Sequence, residues 1–391
     1  MVEPRLRWPW PRWVCWLMCQ STQAIYSALY NTMKIVFSGG GTLGPVTPLL
    51  ALKDVIQKAH PDAAFVWVGT TKGPEKKLVA EHDIPFFALP SGKFRRYISF
   101  WNIIDITKIF IGFFHSIVFL WHEDPDICIS AGGFVSVPLH WAAWFLGIPT
   151  WIHQQDVQVG LANKLMTPMA WVVTTALQES VPFFPKKKTH WLGNPIRAEM
   201  TKGRVSRARK IFKLSSSLPV VFATGGGTGS LKVNQMIAQA AQHLDGVCQI
   251  IHLTGKERPQ DMVEPMKRQF PMYKAYPFFT HEMKDAYAVA SLVISRGGFG
   301  TITELAALRK PAILIPKPGH QEENVAFLEG AEAVVLLDER TTDGNHLAQS
   351  IKELLSNRKK MKDMGNRLHD VVPPADQRKA LELFNSLTNS S

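Results

Sequence analysis

Apolar residues fall into short runs along this chain, and between the runs apolar positions recur at helical spacing. From Met33 the runs read KIVFSGGG, AFVWVGT, DICISAGG, IPTWIHQQ and WVVTTA, with a helical segment LLALKDVIQKA after the first run. The pattern then restarts at LPVVFATGGGTGS and continues through CQIIHLTG, LVISRGG, the helical segment TITELAALR, and PAILIPKPG. Strands that alternate with helices are typical of a parallel sheet with helices on both faces. The sequence therefore predicts an α/β protein with two Rossmann-like domains.

The two series meet at residues 193–197, where glycine and proline interrupt the pattern. We expect an N-terminal domain over 33–195, a C-terminal domain over 196–391 that includes the terminal helices, and a cleft between them. Residues 1–32 hold four tryptophans within the first sixteen positions. They lack both the apolar core of a signal peptide and the about 20 apolar residues of a membrane span. Two interpretations stay open: an upstream-start artefact or an aromatic interfacial anchor.

Composition narrows the class of protein. Hydrophobic residues make up 46% and charged residues 19%, which excludes a disordered chain. Four cysteines give neither a disulfide framework nor two pairs of metal ligands, so a reduced cytoplasm fits best. The net charge of +12 favours an anionic partner without naming it. No aromatic-basic motif for nucleic acid is present, and we expect no nucleic-acid partner.

Two glycine turns stand at matching places in the two series. SGGGTLG at 38–44 and TGGGTGS at 224–230 each follow a strand and precede a helix. Backbone N–H groups and the helix dipole favour a phosphate at such a turn. Neither turn is a P-loop, because no Lys-Ser/Thr pair follows the glycines. A turn that needs glycine only for close packing is the alternative.

Polar residues follow the strands where a parallel sheet forms its ligand crevice. His153, Gln154, Gln155 and Asp156 end one strand of the first series. In the second series SRGGFGTITE leads from a strand into a helix, and Glu304 falls within about its first turn. A carboxylate there either favours the helix dipole or holds a ribose diol, and spacing alone leaves both open.

The order of the motifs is more specific than any one of them. GGGTxG, GGFVSVP, HQQD with GLANK, LGNPIR, TGGGTGS, SRGGFGTITELAAL and GHQEEN occur between about residues 33 and 335. This series resembles the MurG glycosyltransferases of peptidoglycan synthesis. The resemblance implies a GT-B fold and an inverting, metal-independent hexosyltransferase that uses no cofactor. It also implies transfer of N-acetylglucosamine from its UDP donor to the lipid-linked muramyl-peptide, which converts lipid I to lipid II.

The same resemblance implies roles for individual positions. The acceptor lipid goes to the N-terminal domain and the nucleotide sugar to the C-terminal domain. Glu304 matches the ribose-binding carboxylate, and Arg197 matches the arginine of the interdomain motif. The other expected substrate contacts are Thr42, Leu43, Gly44, Asp156, Gly227, Phe279, Phe299, Gly300, Thr301, Ile302, Thr303 and Gln321.

The chain departs from the family pattern at several of these positions. The first loop usually reads Gly-Gly-His, and its histidine is a candidate base, but here the loop reads Leu43-Gly44-Pro45. Gln154 stands where relatives often have Glu, Asp156 where they commonly have Asn, and Gly227 where they often have Ser. We therefore expect His153 to act as the catalytic base, with a purely structural histidine as the alternative.

Other functions stay open from the residues alone. They are a non-catalytic UDP-sugar-binding homologue and a nucleotide-sugar epimerase. An oxidoreductase is disfavoured, because no fitting GxGxxG is followed by an acidic strand end.

A long apolar stretch over 101–121 follows a basic cluster that contains Lys93, Arg95 and Arg96. Apolar groups beside cations are typical of a patch at an anionic membrane surface, although burial against the sheet is the alternative. This stretch predicts a peripheral membrane protein. The resemblance implies that it lies at the cytoplasmic face of the cell membrane, with a part in cell wall biogenesis, cell shape and division.

Overall fold

The computed structural model describes residues 32–92, 101–227 and 229–389. The expected N-terminal extension, except for its last residue, lies outside the described residues. So do Lys93, Arg95 and Arg96.

Seven parallel strands form the first sheet of the described chain. They are β1 Lys34–Ser38, β2 Ala64–Gly69, β3 Phe86–Ala88, β4 Ile127–Ser130, β5 Thr150–Gln154, β6 Val172–Thr175 and β7 Thr189–Trp191, in the order β3-β2-β1-β4-β5-β6-β7. Its helices are α1 Val46–Ala59, α2 Glu75–Ala80, α3 Trp101–Glu123, α4 Ser136–Phe145 and α5 Leu161–Met166. Short 3₁₀ helices at Gln178–Phe183 and Lys186–Lys188 lie between β6 and β7.

Six parallel strands form the second sheet. They are β8 Val220–Thr224, β9 Gln249–Leu253, β10 Tyr273–Tyr276, β11 Leu292–Ser295, β12 Ala312–Leu314 and β13 Val335–Leu336, in the order β10-β9-β8-β11-β12-β13. A 3₁₀ helix at Ala198–Lys202 leads into this part. The helices are α6 Val205–Ile211, α7 Leu231–Leu244, α8 Glu264–Gln269, α9 Met283–Val289, α10 Phe299–Ala307, α11 His320–Gly330, α12 Gly344–Ser356, α13 Arg358–Val371 and α14 Gln377–Asn389.

The central strands are buried on both faces, which is why they read as continuous apolar runs. Every residue of β4, β5, β8 and β11 is buried. The predicted fold of two Rossmann-like units is confirmed, with each sheet at the centre of its own hydrophobic core.

The last helix, α14, crosses back to the first sheet. Phe384 is fully buried in the core around β1, and Asn385 Oδ1 lies 3.0 Å from His60 Nε2 at the end of α1. The returning chain is held at β7, where the Asp376 amide donates to the Leu192 carbonyl at 3.0 Å. The boundary at residue 195 stays a prediction, but the chain passes between the two sheets twice.

Within the described residues, no helix is both long and apolar enough to span a bilayer. The two cysteines in this part, Cys128 and Cys248, are buried free thiols.

Candidate functional site

The loops that follow β1, β8 and β11 meet between the two sheets. An ideal Cβ on Gly227 would lie 2.8 Å from Leu43 Cδ1, and one on Gly300 would lie 2.8 Å from Thr47 Oγ1. Glycines of the second unit therefore leave room for side chains of the first. Because these loops stand at the carboxyl ends of parallel strands, they form the crevice where such folds bind ligands.

The second glycine loop leads into α7 through two left-handed glycines. Gly226 has a φ of 80° and Gly229 a φ of 70°. Ser230 Oγ caps the helix by accepting from the Val233 amide at 3.4 Å. The free N–H groups at this helix start favour an anionic ligand.

Arg296 adds a cation beside this loop that the sequence motifs did not single out. Its Nη2 donates to Ser230 Oγ at 2.7 Å, and its Nη1 pairs with the Glu339 carboxylate at 2.5 Å. A further pair of bonds to the Ile315 and Pro316 carbonyls fixes the guanidinium. The signal available in sequence was its place directly after β11, next to the glycine turn.

Glu304 and Arg197 are brought together by the structure. Arg197 Nη2 donates to Glu304 Oε1 at 2.7 Å. Burial and the nearby Glu304 carboxylate together raise the pKa of Tyr287. Burial alone would lower the pKa of Arg197, but the Glu304 carboxylate raises it on balance. Helix α10 begins at Phe299, so Glu304 lies in its second turn. This is just beyond the first turn, where the helix-dipole effect has largely fallen off, so the position favours the ribose role over the dipole role.

A small cavity opens beside this ion pair, between the two units. Its lining consists of Thr47, Pro195, Ile196, Arg197, Gly300, Thr303 and Glu304.

His153 lies in a chain of buried hydrogen bonds that joins the two units. Its Nδ1 is 2.9 Å from Thr174 Oγ1, and its Nε2 is 2.8 Å from Asn194 Oδ1. Asn194 in turn donates through Nδ2 to Thr303 Oγ1 in α10. Because Asn194 Oδ1 can only accept, Nε2 carries the proton of the neutral imidazole, and the Thr174 hydroxyl donates to Nδ1 while it accepts from Trp151 Nε1 at 2.8 Å.

These contacts leave His153 without a free nitrogen. The side chain is 3% exposed, and burial lowers its pKa to about 4 despite the opposing bond to Asn194. A base must face the proton that it removes and be ready to hold it at working pH. The geometry does not fit the predicted base role of His153 and instead favours the structural alternative.

Asp156 follows the same strand and reaches the second unit. Asn324 Nδ2 donates to its Oδ1 at 2.8 Å, and the Val157 amide donates to Asn324 Oδ1 at 3.0 Å. Burial raises the pKa of Asp156, although the bond from Asn324 and the nearby His320 oppose the shift. Within the described chain, no group donates to its second oxygen, Oδ2.

The two glutamines before Asp156 shape this strand end. Gln154 Nε2 donates to the carbonyls of Asp156 and Gln158 at 2.8 and 3.0 Å. These bonds hold the loop that follows β5 in a turn. Gln155 Nε2 donates to the Gly44 carbonyl at 3.2 Å. The end of β5 therefore lies directly beside the first glycine loop and Pro45.

The remaining predicted positions divide into cleft and core. On the first glycine loop, Thr42 is exposed, and Leu43 and Gly44 follow it directly. At the start of α11, Gln321 Oε1 accepts from the Lys317 amide at 3.0 Å. Thr301 is partly exposed, but Phe299, Ile302 and Thr303 are buried in α10.

Phe279 belongs to the core rather than to the cleft surface. Its ring centroid lies 5.4 Å from that of Phe212 and 5.5 Å from that of Tyr276. The neighbouring Phe278 is 56% exposed. The Phe279 side chain thus faces an aromatic cluster, and the substrate contact predicted at this position stays a prediction. Sequence spacing could not tell which of the two adjacent rings turns inward.

An exposed apolar surface covers part of α3 and the end of α4. It consists of Phe110, Ile111, Phe114, Val118, Trp121, Trp144 and Phe145, all more than a third exposed. Its members on α3 recur every three or four residues, so they share one face. The Phe113 and Phe145 rings lie 6.4 Å apart and join the two helices. We call these seven residues the apolar surface.

Two family models match this chain. One, described as the glycosyltransferase family 28 N-terminal domain, matches residues 35–175. The other, described as the glycosyltransferase family 28 C-terminal domain, matches residues 220–377. The first match covers β1 to β6, and the second covers all six strands of the second sheet.

Curated relatives match most of the chain. A UDP-N-acetylglucosamine–N-acetylmuramyl-(pentapeptide) pyrophosphoryl-undecaprenol N-acetylglucosamine transferase of Treponema denticola is 34% identical over 329 residues, covering 78% of this chain and 84% of the relative. A protein of the same name from Caldanaerobacter subterraneus is 32% identical, covering 91% of this chain and 100% of the relative.

Solved structures share the fold over almost the whole chain. MurG of Acinetobacter baumannii superposes with a TM-score of 0.70 at 22% identity, covering 91% of this chain and 99% of the other. A UDP-GlcNAc 2-epimerase of Neisseria meningitidis, bound to UDP-GlcNAc, superposes with a TM-score of 0.64 at 14% identity, covering 92% and 100%. At these identities the likeness concerns the fold.

Proposed function

The chain belongs to glycosyltransferase family 28, and from this premise we propose how its cleft transfers a sugar. It is a hexosyltransferase that moves N-acetylglucosamine from UDP-N-acetylglucosamine to the lipid-linked N-acetylmuramyl-pentapeptide, the step from lipid I to lipid II in peptidoglycan synthesis. The epimerase alternative has only the shared fold in its favour, because the epimerase structure is 14% identical.

The approach of the two glycine loops is the observation that carries the proposed site. Leu43 of the first loop reaches Gly227 of the second, so two anion-binding turns face one space. A sugar transfer between two diphosphates needs such a pair, one turn for the nucleotide and one for the lipid. We assign the nucleotide to the turns before α7 and α10, and the lipid to the first loop.

Glu304 holds the ribose diol in this proposal. Its side chain is 11% exposed and lies beside the small cavity between the two units. Arg197 orients it, and a carboxylate can accept further bonds while it keeps an arginine partner. Thr301 and Gln321 complete the donor side at the starts of α10 and α11.

Proton removal passes to Asp156. An inverting transfer needs a group that takes the acceptor hydroxyl proton as the sugar carbon is attacked. Pro45 has no such group and His153 has no free nitrogen. Asp156 offers the unbonded oxygen Oδ2, and its neighbour Gln155 contacts the first loop. Burial raises the pKa of the Asp156 carboxyl group, which strengthens it as a base.

The apolar surface carries the proposed membrane contact. Phe110, Phe114 and Trp121 expose more than half of their area on one face of α3. Burying such groups in a headgroup region is favourable, and anionic lipid attracts a chain of net charge +12. We propose peripheral binding at the cytoplasmic face of the cell membrane, where the lipid acceptor is embedded.

A transfer assay tests the function. Radiolabelled UDP-N-acetylglucosamine is incubated with the full chain and a lipid-linked muramyl-peptide, and label is followed into the lipid phase. We expect lipid-borne label only with the acceptor present. Epimerised donor formed without acceptor would favour the epimerase, and donor binding without any turnover would favour a non-catalytic homologue.

A further inference from the structure

Glu75 is a fully buried carboxylate beneath the first glycine loop. It is the first residue of α2 and is 0% exposed. Within the described residues it forms no ion pair. A buried charge without a cation is costly unless hydrogen bonds replace its lost water.

Three donors supply those bonds. The Thr70 amide and the Thr70 hydroxyl donate to Glu75 Oε1 at 2.7 and 2.5 Å, and the Gly41 amide donates to Oε2 at 3.1 Å. One carboxylate therefore ties the turn after β2 to the loop after β1. Gly41 itself has a left-handed φ of 81°, so its amide direction is set by an unusual backbone conformation.

Two further glycines make room for this carboxylate. A Cβ on Gly40 would collide with Glu75 Oε1, and a Cβ on Gly73 would collide with Oε2. The glycines at 40 and 73 are thus explained by Glu75 rather than by a ligand. This assignment separates the structural glycines of the loop from Gly44, where an added Cβ would meet nothing closer than 3.7 Å.

We propose that Glu75 is a positioning residue, which sets the shape of the first glycine loop for the lipid-linked acceptor through the Gly41 amide. The proposal rests on the assignment of that loop to the acceptor. The neighbouring residues Thr42 and Leu43 reach the cleft, and Leu43 approaches Gly227 of the opposite loop. A displaced Gly41 therefore moves the groups between the two diphosphate sites.

Position 75 needs a carboxylate, with two acceptor oxygens, for a geometric reason. Glutamine has the same shape but only one acceptor oxygen. If that oxygen faces the two Thr70 donors, the amide NH₂ points at the Gly41 N–H, and donor meets donor. If the amide turns over, both Thr70 donors lose their acceptor. Glu75→Gln therefore cannot satisfy all three donors.

Hydrogen exchange on the full-length protein tests the contact itself. We compare wild type, Glu75→Gln and the control Thr70→Val, which removes one donor to Oε1 but keeps the Gly41 bond. We expect the Gly41 amide to exchange about 10- to 100-fold faster in Glu75→Gln, the range for losing a charge-assisted bond. The control should exchange at nearly the wild-type rate, and equal exchange in all three proteins would overturn the proposal.

Steady-state kinetics test its consequence for the acceptor. Glu75→Gln should lower kcat/KM for the lipid acceptor at least tenfold and leave UDP affinity within about twofold. Loss of UDP affinity and kcat/KM in parallel, in both variants, would show a merely structural role. If Glu75→Gln does not fold, Glu75→Asp keeps the charge but withdraws it by one methylene. Unchanged Gly41 exchange in that variant would equally overturn the proposal.

The exchange experiment needs no turnover, so it separates this inference from the proposed function. Faster Gly41 exchange in a protein that transfers no sugar would refute the function and keep the Glu75–Gly41 contact. Normal exchange together with impaired transfer would refute the positioning role of Glu75 and keep the function.

Discussion

The guanidinium of Arg197 lies 2.7 Å from the carboxylate of Glu304, and this pair joins the segment between the sheets to α10. Both side chains are largely buried, with exposed fractions of 21% and 11%. The attraction between two buried charges is strengthened by the low dielectric around them. Removal of one partner leaves the other as a buried unpaired charge, which is destabilising. The ion pair therefore fixes the carboxylate that we assign to the ribose of the donor.

Replacing Glu304 should weaken nucleotide binding. We expect Glu304→Ala to raise the Kd for UDP by roughly 10- to 100-fold, because charge-assisted bonds to the ribose are worth about 1.5–3 kcal/mol. Titration calorimetry measures this. The control is Glu199→Ala, whose carboxylate is half exposed and lies 3.4 Å from the same arginine. Equal affinity in Glu304→Ala and the control would contradict the ribose assignment.

Asp156 should control the acid side of the rate profile. A base acts only when deprotonated, and because burial raises the pKa of Asp156, activity should fall as pH drops through a value above the ordinary carboxyl range. Asp156→Asn should lower kcat by about 10²–10⁴ and remove this limb, with UDP affinity nearly unchanged. A variant with wild-type kcat and the same acid limb would exclude the role.

His153 should matter for stability more than for proton transfer. His153→Gln breaks the chain through Asn194, and we expect the free energy of unfolding to fall by about 1–3 kcal/mol. Denaturant unfolding checks this, and the shape of the rate profile should stay that of wild type. A loss of kcat by 10² or more with unchanged stability would restore His153 as the base.

Buried neutral histidines should make the protein acid-sensitive. Burial lowers the pKa of His153 to about 4 and those of His140 and His252 to about 3, from an ordinary 6.5. Below pH 6.5 these histidines become protonated in the unfolded chain but stay neutral in the folded chain. The free energy of unfolding therefore falls as the pH is lowered from 6.5 toward 4. Thermal unfolding at a series of pH values measures the slope, and replacing His252 by Gln should reduce it. A flat profile over this range would contradict the burial of these rings.

The apolar surface should govern membrane binding. We expect Phe110→Ser with Phe114→Ser to weaken binding to anionic vesicles by about 100-fold or more in a flotation assay, since each ring loses about 1.5–3 kcal/mol of burial. Phe183→Ser is the matched control, because Phe183 is 68% exposed and lies outside the apolar surface. Equal loss in the control and the double variant would argue against a defined membrane face.

The sequence predicted the strands and helices whose formation depends on the residues within them. Apolar runs such as KIVFS and VVFAT became β1 and β8 because strands buried on both faces need continuous apolar residues. Long-range partners left no such pattern. Nothing local indicates that His153 meets Thr174 and Asn194, 21 and 41 residues away.

Helix α14 illustrates the same limit. Its amphipathic pattern was legible, but no local signal shows on which of two sheets its apolar face packs. Phe384 and Leu387 enter the core of the first sheet, more than 180 residues after its last strand ends at Trp191. Sequence distance is a poor guide here, because the chain closes its N-terminal core with C-terminal residues.

This return has a consequence for how the protein is made. During synthesis, the strands of the first sheet leave the ribosome well before Phe384 is translated. Until then, the part of this core that α14 covers stays exposed. The second unit is completed in the meantime, and the last thirteen residues of the described chain then seal the first. The N-terminal unit is thus translated first but completed last. A premature stop codon that removes α14 would leave the core of the first sheet incomplete.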